Sequence, residues 1–572
     1  MGKGIDRGRA ELLGWERERP ASYFATDGNI QSVLRMHLGE RAEAVWPRLE
    51  HAGRLAATRM DGLARECNRD EHLPVLRRWS DLGERVEQVV FHPAHDALGA
   101  MFWESGVLGV LGEPGQDLVS GGLAYLLDHH GEAGHACPVA CTAGAIKLLQ
   151  QVGSDAQRQR YLGGLCATDY AKRIHAAQFV TEVQGGSDVG ANDCVAEPAA
   201  DHPGMFRISG EKWFCSVADA SLFVMTARVP RQGEGTRGLG LFLVPRLLDG
   251  AVNGFALRRL KYKLGTRSLA SAEIDFDGAL GEPVGRLDQG FRNLIGVVLD
   301  TSRVHNALAA CGMMRRATIE AWTFAQRRRA FGQAIAGYPM VQEILARMKA
   351  ETAAAVATTF RILALTDRLA RSVASAELRA ARRTLVNINK YWTSTACTET
   401  VRNGIEILGG NGTIEEFSVL PRLYRDSMVI ESWEGTHNTL CAQVLRDFAQ
   451  RGLHRPWLAE LEEALDQASH PSTAAHRERL RALHADVAAR IERLLGGGEA
   501  FAATHVRHVV GRMCLLHGYL ALVLEQDWEA ARGVTSPKPA LAELYWRLFV
   551  APGDPMADET LAELQRQVCA TM

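Results

Sequence analysis

The sequence lacks several features by which large classes of protein are recognised. No apolar run reaches the roughly 18 residues needed to cross a bilayer, so no transmembrane helix is predicted. Its eleven cysteines are odd in number and include no CxxC pair, which favours a reducing compartment over a disulfide-stabilised secreted fold. The start of the chain is charged and contains no apolar segment typical of a secretory signal. We therefore expect a cytoplasmic protein that is not associated with a membrane.

The chain also lacks an excess of charge of either sign. It carries 65 basic and 67 acidic side chains over 572 residues, which gives a formal net charge of -2. This balance offers no general attraction to nucleic acid or to an anionic membrane. Lysine is scarce, since only nine of the basic residues are lysine. A hydrophobic content of 47% is that of an ordinary globular protein, and the length predicts several domains.

Hydrophobic periodicity divides the chain into helical and β regions. Ala272, Ile274 and Phe276 alternate with acidic residues, which is the period of a half-buried strand. Apolar residues recur at helical spacing between Val341 and Met348, and again between Leu480 and Leu494. The fold is therefore predicted to be α+β and mainly α. The predicted domains are residues 1–175 (helical), 176–290 (β), 291–451 (helical) and 452–572 (a C-terminal helical extension).

A polar motif with two glycines spans residues 178–189, where the first helical region gives way to the β region. Thr181 and Ser187 offer hydroxyl groups beside Gly185 and Gly186, whose bare backbone can approach a flat ring or a phosphate closely. A polar surface loop capped by Ser and Asp explains the same residues. Taken alone, the motif favours the loop over a cofactor site.

A second motif, residues 210–216, combines aromatic residues with a small hydroxyl residue near the end of a predicted strand. Trp213 and Phe214, beside Ser216, could wall one face of a cofactor ring. Most aromatic residues in strands are core residues, so the motif alone does not identify a site.

Two further segments are suited to binding phosphate. Residues 328–332 begin with two arginines, which pair with a pyrophosphate through two hydrogen bonds each. Residues 406–412 contain Gly409 and Gly410, whose amides are free to cradle a phosphate. A helix C-cap explains the second segment equally well, because Gly and Asn are the usual residues there.

A fourth segment, residues 431–438, places a carboxylate in partly apolar surroundings. Glu434 lies between Trp433 and Gly435. Such surroundings would raise its pKa toward that of a useful general base. The alternative is the N-terminus of a surface helix, where acidic residues are favoured in the first turn.

Two histidine pairs are candidates for metal ligands. His505 and His508 are three residues apart in the extension, and His92 and His95 have the same spacing. Neither pair has an evident third ligand, so no metal site is predicted.

Together, the order and spacing of these motifs resemble the acyl-CoA dehydrogenase flavoprotein superfamily over roughly residues 90–445. Four segments are most similar to its AidB-like branch, which also carries a C-terminal helical extension. They are Thr-Glu-Val-Gln-Gly-Gly-Ser-Asp-Val from Thr181, Lys-Trp-Phe-Cys-Ser from Lys212, Lys-Leu-Gly-Thr-Arg-Ser from Lys263 and Leu-Pro-Arg-Leu-Tyr-Arg-Asp from Leu420. The resemblance implies a helical N-terminal domain, a middle β-barrel domain, a C-terminal four-helix bundle and an extra C-terminal helical domain.

The resemblance also implies FAD as the cofactor and assigns roles to the motif residues. Thr181 and Ser216 would hydrogen-bond the flavin, and Phe214 would lie against it. The other implied contacts with FAD of the same subunit are Gln178, Val180, Ser187, Cys215, Thr436 and Asn438. Contacts with FAD of a neighbouring subunit would come from Arg328, Phe331, Glu406, Gly409 and Gly410. The implied substrate contacts are Ser187, Arg303 and Gly435, and the implied catalytic base is Glu434.

The implied reaction is α,β-dehydrogenation of an acyl-CoA thioester by a homo-oligomer, expected to be a tetramer. Glu434 would remove the α-proton while the β-hydrogen leaves as hydride to the flavin. Some relatives place the base just before the arginine at 303, but this chain has Ser302 there, which cannot serve. Pro339 and Glu406 stand where glutamines often contact FAD, and a carboxylate near a pyrophosphate costs electrostatically. Medium or long acyl chains and an electron-transferring flavoprotein or similar acceptor are expected by analogy.

Two alternative functions remain open. One is an acyl-CoA oxidase of the same fold, in which O₂ reaches the reduced flavin. The other is a DNA-associated protein of the AidB type, which would need a basic extension. Residues 451–572 carry thirteen basic and sixteen acidic side chains, the wrong sign for a phosphate-binding surface. We expect instead that the apolar face from Leu480 to Leu494 packs on the bundle or on a neighbouring subunit.

Overall fold

The computed structural model of the protein describes residues 3–371 and 375–572. Helices lie on both sides of a central β region along the chain, as the periodicity predicts. In the described residues, none of the helices combines the length and the apolar character that crossing a membrane requires. In chain order the helices are α1 (Lys3–Arg17), α2 (Gly28–Leu38), α3 (Ala42–Leu55), α4 (Asp61–Cys67), α5 (Pro93–Glu104), α6 (Asp117–Leu127), α7 (Ala136–Val152), α8 (Asp155–Leu165), α9 (Gly290–Asn293), α10 (Leu299–Arg327), α11 (Pro339–Arg371), α12 (Ala376–Leu408), α13 (Leu420–Ile430), α14 (His437–Arg451), α15 (His454–Gln467), α16 (Ala474–Gly496), α17 (Glu499–Ala530), α18 (Lys538–Tyr545) and α19 (Leu561–Cys569).

Local sequence explains where several of these helices begin and end. Ser154 caps α8 in a capping box, because its hydroxyl accepts from the N–H of Gln157 at 3.2 Å and the Gln157 side chain accepts from the N–H of Ser154 at 3.0 Å. The glycine run at 496–498 separates α16 from α17, because glycine stabilises a helix least of the ordinary residues. Both boundaries follow from adjacent residues in the sequence, a capping serine in one case and three glycines in the other.

Short strands supply the β part of the protein, and most of them lie in the region 176–290. They are β1 (Val75–Trp79), β2 (Arg85–Val90), β3 (Ala176–Phe179), β4 (Val195–Pro198), β5 (Phe206–Ser216), β6 (Leu222–Arg228), β7 (Leu239–Pro245), β8 (Leu247–Leu248), β9 (Ala251–Val252), β10 (Phe255–Leu260), β11 (Ser271–Pro283), β12 (Arg329–Ala330) and β13 (Gln333–Ala334).

Five of these strands close into a barrel. Strand β11 pairs with β5, β5 with β4, β4 with β6, β6 with β7, and β7 with β11 again, so the hydrogen-bonded path returns to its start. Strand β10 adds to β11 and strand β3 adds to β6. Closure satisfies strand edges that would otherwise be open.

Phenylalanine side chains fill the barrel. The ring centroid of Phe223 lies 4.7 Å from that of Phe179 and 5.5 Å from that of Phe255, and all three side chains are buried. The predicted inward side chains of β11, Ala272 to Phe276, are buried as well. Glu273 departs from the predicted alternation, because its carboxylate is also buried. Arg259 Nε and Lys261 Nζ donate to it at 3.0 Å and 2.8 Å, which compensates the buried charge.

The chain divides into two compact units. One contains residues 59–116 and 132–305, and therefore the barrel. The other contains residues 1–58, 117–131 and 306–572. Helices from the predicted domains 291–451 and 452–572 thus share one unit, while those domain boundaries themselves stay a prediction.

The apolar face of α16 is buried inside the chain's own helical unit. Leu480, Val487 and Ile491 have no exposed surface, and Leu483 and Leu494 are at most 4% exposed. Helix α16 packs on α17, which in turn packs on α11, α12 and α14 of the bundle. The face is therefore covered by the extension's own helix α17 and not, as expected, by the bundle or a neighbouring subunit, while the extension meets the bundle through α17.

We predict that Ile491→Asp destabilises the fold rather than the oligomer. An unpaired charge would replace a fully buried side chain, which costs on the order of 3–5 kcal/mol of unfolding free energy. Ala489→Asp, on the exposed side of the same helix, is the matched control and should cost only about 0.5 kcal/mol. Urea unfolding and light scattering at equal protein concentration check this. Loss of the oligomer without a change in the unfolding midpoint would contradict it.

Candidate active site

The polar motif at 178–189 lies where β3 leaves the barrel. The N–H of Trp213 donates to the carbonyl of Thr181 at 2.9 Å, which places this turn beside the end of β5. A β-carbon added to Gly186 would lie 2.6 Å from Thr181 Oγ1, so a larger residue there would displace that hydroxyl. Thr181 is half-buried and Ser187 is exposed. The two predicted hydroxyl residues are therefore at the surface of the barrel unit.

A buried ion pair holds this turn to the barrel. Lys212 Nζ donates to the Glu182 carboxylate at 2.7 Å, and the two side chains are 0% and 4% exposed. The N–H of Asp193 donates to the same carboxylate at 2.5 Å. Although burial disfavours the charged form, Lys212 and these hydrogen bonds keep the pKa of Glu182 below its usual value. Glu182 thus has a structural role that the sequence reasoning missed.

The end of β5 presents an aromatic ring beside a hydroxyl group. Phe214 is 47% exposed, although it is a large apolar side chain. Ser216 Oγ lies 3.0 Å from Ser271 Oγ, to which Lys263 Nζ also donates at 2.9 Å. The Cys215 side chain is fully buried, and burial raises the pKa of its thiol. Cys215 can therefore contact a ligand only through its backbone.

Two other predicted contacts use their polar groups inside the barrel unit. The Gln178 amide donates to Ser302 Oγ at 2.9 Å, and the Val180 carbonyl accepts from Asn192 Nδ2 at 2.7 Å. Arg303, which follows Ser302 on α10, is 4% exposed. Ser302, which stands where some relatives have the catalytic base, is thus hydrogen-bonded to Gln178.

Glu434 lies in a strained turn of the helical unit. Its φ is 58°, in the left-handed region that disfavours side chains, and Gly435 follows with a φ of 107°. Lys390 of α12 holds the turn, because its ammonium donates to the carbonyls of Glu431 and Gly435 at 2.8 Å and 2.9 Å. Lys390 is fully buried. The fold therefore places the Glu434 backbone in one defined conformation.

The next three residues begin α14. Thr436 is the N-cap residue, and its hydroxyl accepts from the N–H of Thr439 at 3.5 Å. Asn438 is exposed, and its side-chain oxygen accepts a hydrogen bond from Arg507 of α17. Burial, together with the positive charges of Lys390 and Arg507, lowers the pKa of His437 to about 4. The predicted helix start is confirmed, with Glu434 before it rather than inside it.

The two segments suited to phosphate are exposed on the helical unit. Phe331 is 98% exposed at the tip of the β12–β13 hairpin, and Arg328 before it lies 3.9 Å from Glu11. Gly409 caps the C-terminus of α12, as its alternative interpretation predicts. Glu406 is exposed too, and a β-carbon on Gly410 would meet no atom within 4 Å. Their contact with a neighbouring subunit's FAD stays a prediction.

One group of side chains has the composition of a metal site. Ligand atoms of Glu66, His72 and His92 lie within 4.8 Å of one another. However, His92 Nδ1 accepts a hydrogen bond from the N–H of Ala94 at 3.2 Å. A metal bound at either ring nitrogen of His92 would break this hydrogen bond, because binding at Nε2 moves the ring proton to Nδ1. The prediction that the chain holds no metal therefore stands as a prediction.

The residues that sequence reasoning missed are mainly lysines. Lys212 and Lys390 are both fully buried and both hold segments of the candidate site. Lysine differs from arginine in carrying a compact point charge on a flexible stem, which fits a narrow buried position. The scarcity of lysine does not by itself mark such positions, because an exposed lysine such as Lys172 is also among the nine.

Three family models match consecutive parts of the chain. The adaptive response protein AidB N-terminal domain matches residues 17–172, the acyl-CoA dehydrogenase middle domain matches residues 177–279, and the acyl-CoA dehydrogenase C-terminal domain matches residues 288–448. The middle match coincides with the strands of the barrel. These matches confirm the predicted fold class.

Similar proteins extend over the same region. Acyl-CoA dehydrogenase family member 11 of Caenorhabditis elegans is 32% identical over 428 residues, which are 72% of this chain and 64% of that protein. AidB of Escherichia coli strain K12 is 34% identical over 387 residues, which are 65% of this chain and 69% of that protein. The chain thus spans about two thirds of the length of these relatives.

Solved structures share the architecture. Caenorhabditis elegans ACDH-11 in complex with C11-CoA has a TM-score of 0.83 at 26% identity, covering 91% of this chain and 90% of that one. Acyl-CoA dehydrogenase from Bacillus anthracis complexed with FAD has a TM-score of 0.69 at 19% identity, covering 95% and 94%. The second likeness concerns the fold alone.

We predict that Lys212→Met lowers the unfolding free energy by about 3–5 kcal/mol, because it leaves the Glu182 carboxylate buried without a counter-charge. The double variant Glu182→Gln/Lys212→Met should recover most of this loss. Lys172→Met, which removes an exposed lysine 3.3 Å from Asp169, is the control and should cost below about 1 kcal/mol. Urea unfolding measures all three.

The Glu182–Lys212 pair predicts that the stability of the fold depends on pH. Because the folded pKa of Glu182 is below its unfolded value, the carboxylate stabilises the fold above about pH 4.3, and this is lost as the pH falls. The stability difference between wild type and Glu182→Gln should therefore narrow below that pH. A difference independent of pH between about 3 and 7 would show that Glu182 is not the charged partner.

Proposed function

Because the chain belongs to the acyl-CoA dehydrogenase family, in its AidB-like branch, we propose that it is an FAD-dependent acyl-CoA dehydrogenase. The proposed reaction removes one α-hydrogen and one β-hydrogen from an acyl-CoA thioester. The observation that carries it is Glu434, a carboxylate held in a left-handed turn by the buried ammonium of Lys390.

The residues present fit FAD, which family membership supports as the cofactor. Phe214 offers an exposed ring for the flavin, and Gly186 lets the backbone fold close to the Thr181 hydroxyl. Gly410 is exposed, and the space where a β-carbon would stand is open, which is compatible with the close approach of a phosphate. Thr181 and Ser216 would hydrogen-bond the flavin, while Thr436 and Asn438 would hold the dinucleotide part. Bound FAD supplies a hydride acceptor.

Glu434 would act as the general base for the α-proton. Its backbone conformation is set by the turn, so the backbone needs little ordering when substrate binds. Its N–H would donate to the thioester oxygen and stabilise the negative charge that develops there. Ser302 offers no second base, because its hydroxyl is hydrogen-bonded to Gln178 and is not a carboxylate. One base therefore serves the proposed reaction.

The proposal also includes the acyl chain length, the oligomer, the electron acceptor and the location. The bound C11-CoA of Caenorhabditis elegans ACDH-11 supports a medium or long acyl chain for this protein. We propose a homotetramer in which a neighbouring subunit covers the ring of Phe331, which is 98% exposed in the single chain. An electron-transferring flavoprotein or similar acceptor and a cytoplasmic location complete the proposal. Anaerobic titration with acyl-CoAs of increasing length, followed by O₂, distinguishes a dehydrogenase from an oxidase.

A role on DNA is disfavoured by the charges of the extension. Several of its arginines are paired with carboxylates of the same unit and so are compensated before any phosphate arrives. Three such pairs are Arg479–Glu543 at 2.6 Å, Arg481–Asp466 at 3.4 Å and Arg490–Asp486 at 2.8 Å.

We predict that Glu434→Gln keeps the flavin but slows its reduction by acyl-CoA by about 10²- to 10⁴-fold, because an amide cannot accept the α-proton. Glu431→Gln makes the same change in the same turn and is the matched control, expected to react within about threefold of wild type. Stopped-flow absorbance of the oxidised flavin measures both rates. Unchanged reduction in Glu434→Gln would exclude it as the base.

We also predict weak, non-specific DNA binding at most. Each phosphate contact would add about −0.9 to the slope of log affinity against log salt. Binding of duplex DNA at about 50 and 200 mM salt measures that slope, and we expect no micromolar complex at the higher salt. Micromolar binding there would move the DNA-associated function ahead of a purely metabolic one.

A further inference from the structure

A basic side chain of the C-terminal extension reaches the segment that carries Thr436 and Asn438. Arg507 lies on α17, and its guanidinium donates a hydrogen bond to Oδ1 of Asn438. Asn438 stands in the first turn of α14, two residues after the N-cap Thr436. The extension therefore forms part of the surroundings of two residues that we propose to contact FAD.

Arg507 differs from several other arginines of the extension in its partner. Arg481 and Arg490 are each paired with a carboxylate, at 3.4 Å and 2.8 Å. Among the residues that the structure describes, no carboxylate lies within ion-pair distance of Arg507, and its hydrogen-bond partners, Asn438 and the Tyr391 hydroxyl, are neutral. The side chain is also exposed. Its charge is therefore available to an anion from solution.

The neighbouring histidine indicates a positive field at this point. Burial is the largest cause of the lowered pKa of His437, which is about 4, and the positive charges of Lys390 and Arg507 lower it further. The acidic group facing His437 is Glu431, 3.9 Å from its Nε2, and the Thr398 hydroxyl donates to that carboxylate. The excess of positive charge beside Asn438 suits a phosphate.

We propose that Arg507 binds the phosphate groups of FAD, so that the extension completes the dinucleotide end of the cofactor site. This inference rests on the proposed function, because it requires FAD to contact Thr436 and Asn438. A guanidinium pairs with phosphate oxygens through parallel charge-assisted hydrogen bonds, which are stronger than its bond to the neutral Asn438 amide. Arg507 is a binding residue in this scheme and takes no part in the proton or hydride transfer.

The test is FAD release from the purified holoprotein, followed by the fluorescence of free FAD at equilibrium after dilution. Arg507→Gln should raise the dissociation constant of FAD by about 10- to 100-fold, which is the range for a hydrogen bond to a charged group. Arg507→Lys should recover part of the loss, because it restores the charge but not the paired geometry. The affinity of the wild type should also fall more steeply with salt than that of Arg507→Gln.

Arg481→Gln is the matched control, since it makes the same change on an arginine that already has a carboxylate partner, and its FAD affinity should be unchanged. An Arg507→Gln affinity within about twofold of wild type, with Asn438→Ala clearly weakened, would overturn the inference and leave the proposed cofactor site standing. If Asn438→Ala and Thr436→Val also bind FAD like the wild type, the proposed site fails and the inference fails with it. A lower melting temperature of the FAD-free Arg507→Gln protein, without a change in FAD affinity, would assign Arg507 a structural role only.

Discussion

A lysine ammonium and a glutamate carboxylate meet at 2.7 Å inside the barrel, where neither side chain of the pair is more than 4% exposed. A buried charge is tolerated only when it is paired and hydrogen-bonded, so removing either Glu182 or Lys212 alone destabilises the barrel. Glu182 belongs to the glycine-containing turn and Lys212 to the strand that carries Phe214 and Ser216. The pair therefore sets the position of both segments proposed to face the flavin.

The helical unit uses the same device in the turn that carries the candidate base. Lys390 is buried in α12 and donates to two backbone carbonyls of the turn that carries Glu434. The left-handed φ of Glu434 costs conformational free energy, and these hydrogen bonds compensate for that cost. Both candidate segments are thus irregular loops whose rigidity comes from a buried ammonium on a regular element. This arrangement suits a reaction that depends on alignment more than on new chemistry from the protein.

The extension is integrated with the bundle and is not a detached appendage. The apolar face of α16 packs on α17, and α17 packs on the bundle helices. Helix α17 also carries Arg507, which donates a hydrogen bond to the first turn of α14. Sequence reasoning found that face but expected the bundle or a neighbouring subunit to cover it. Periodicity shows that a helix face is apolar, but it does not show which element covers that face. It likewise placed Glu273 on the exposed face of β11, because the alternation of apolar and acidic residues does not reveal an ion pair with another segment.

The sequence by itself determined the order of helical and β regions, the helix boundaries at Ser154 and at the glycines 496–498, and the family to which the motifs belong. Those features depend on neighbours in the chain, on period and on local capping. Tertiary structure alone decided that Gln178 and Cys215 turn inward, that Phe214 stays exposed, and that Lys212, Lys390 and Arg507 meet partners far along the chain. The physical reason is that burial and charge pairing are settled between distant segments, where composition and spacing carry no information about which groups meet.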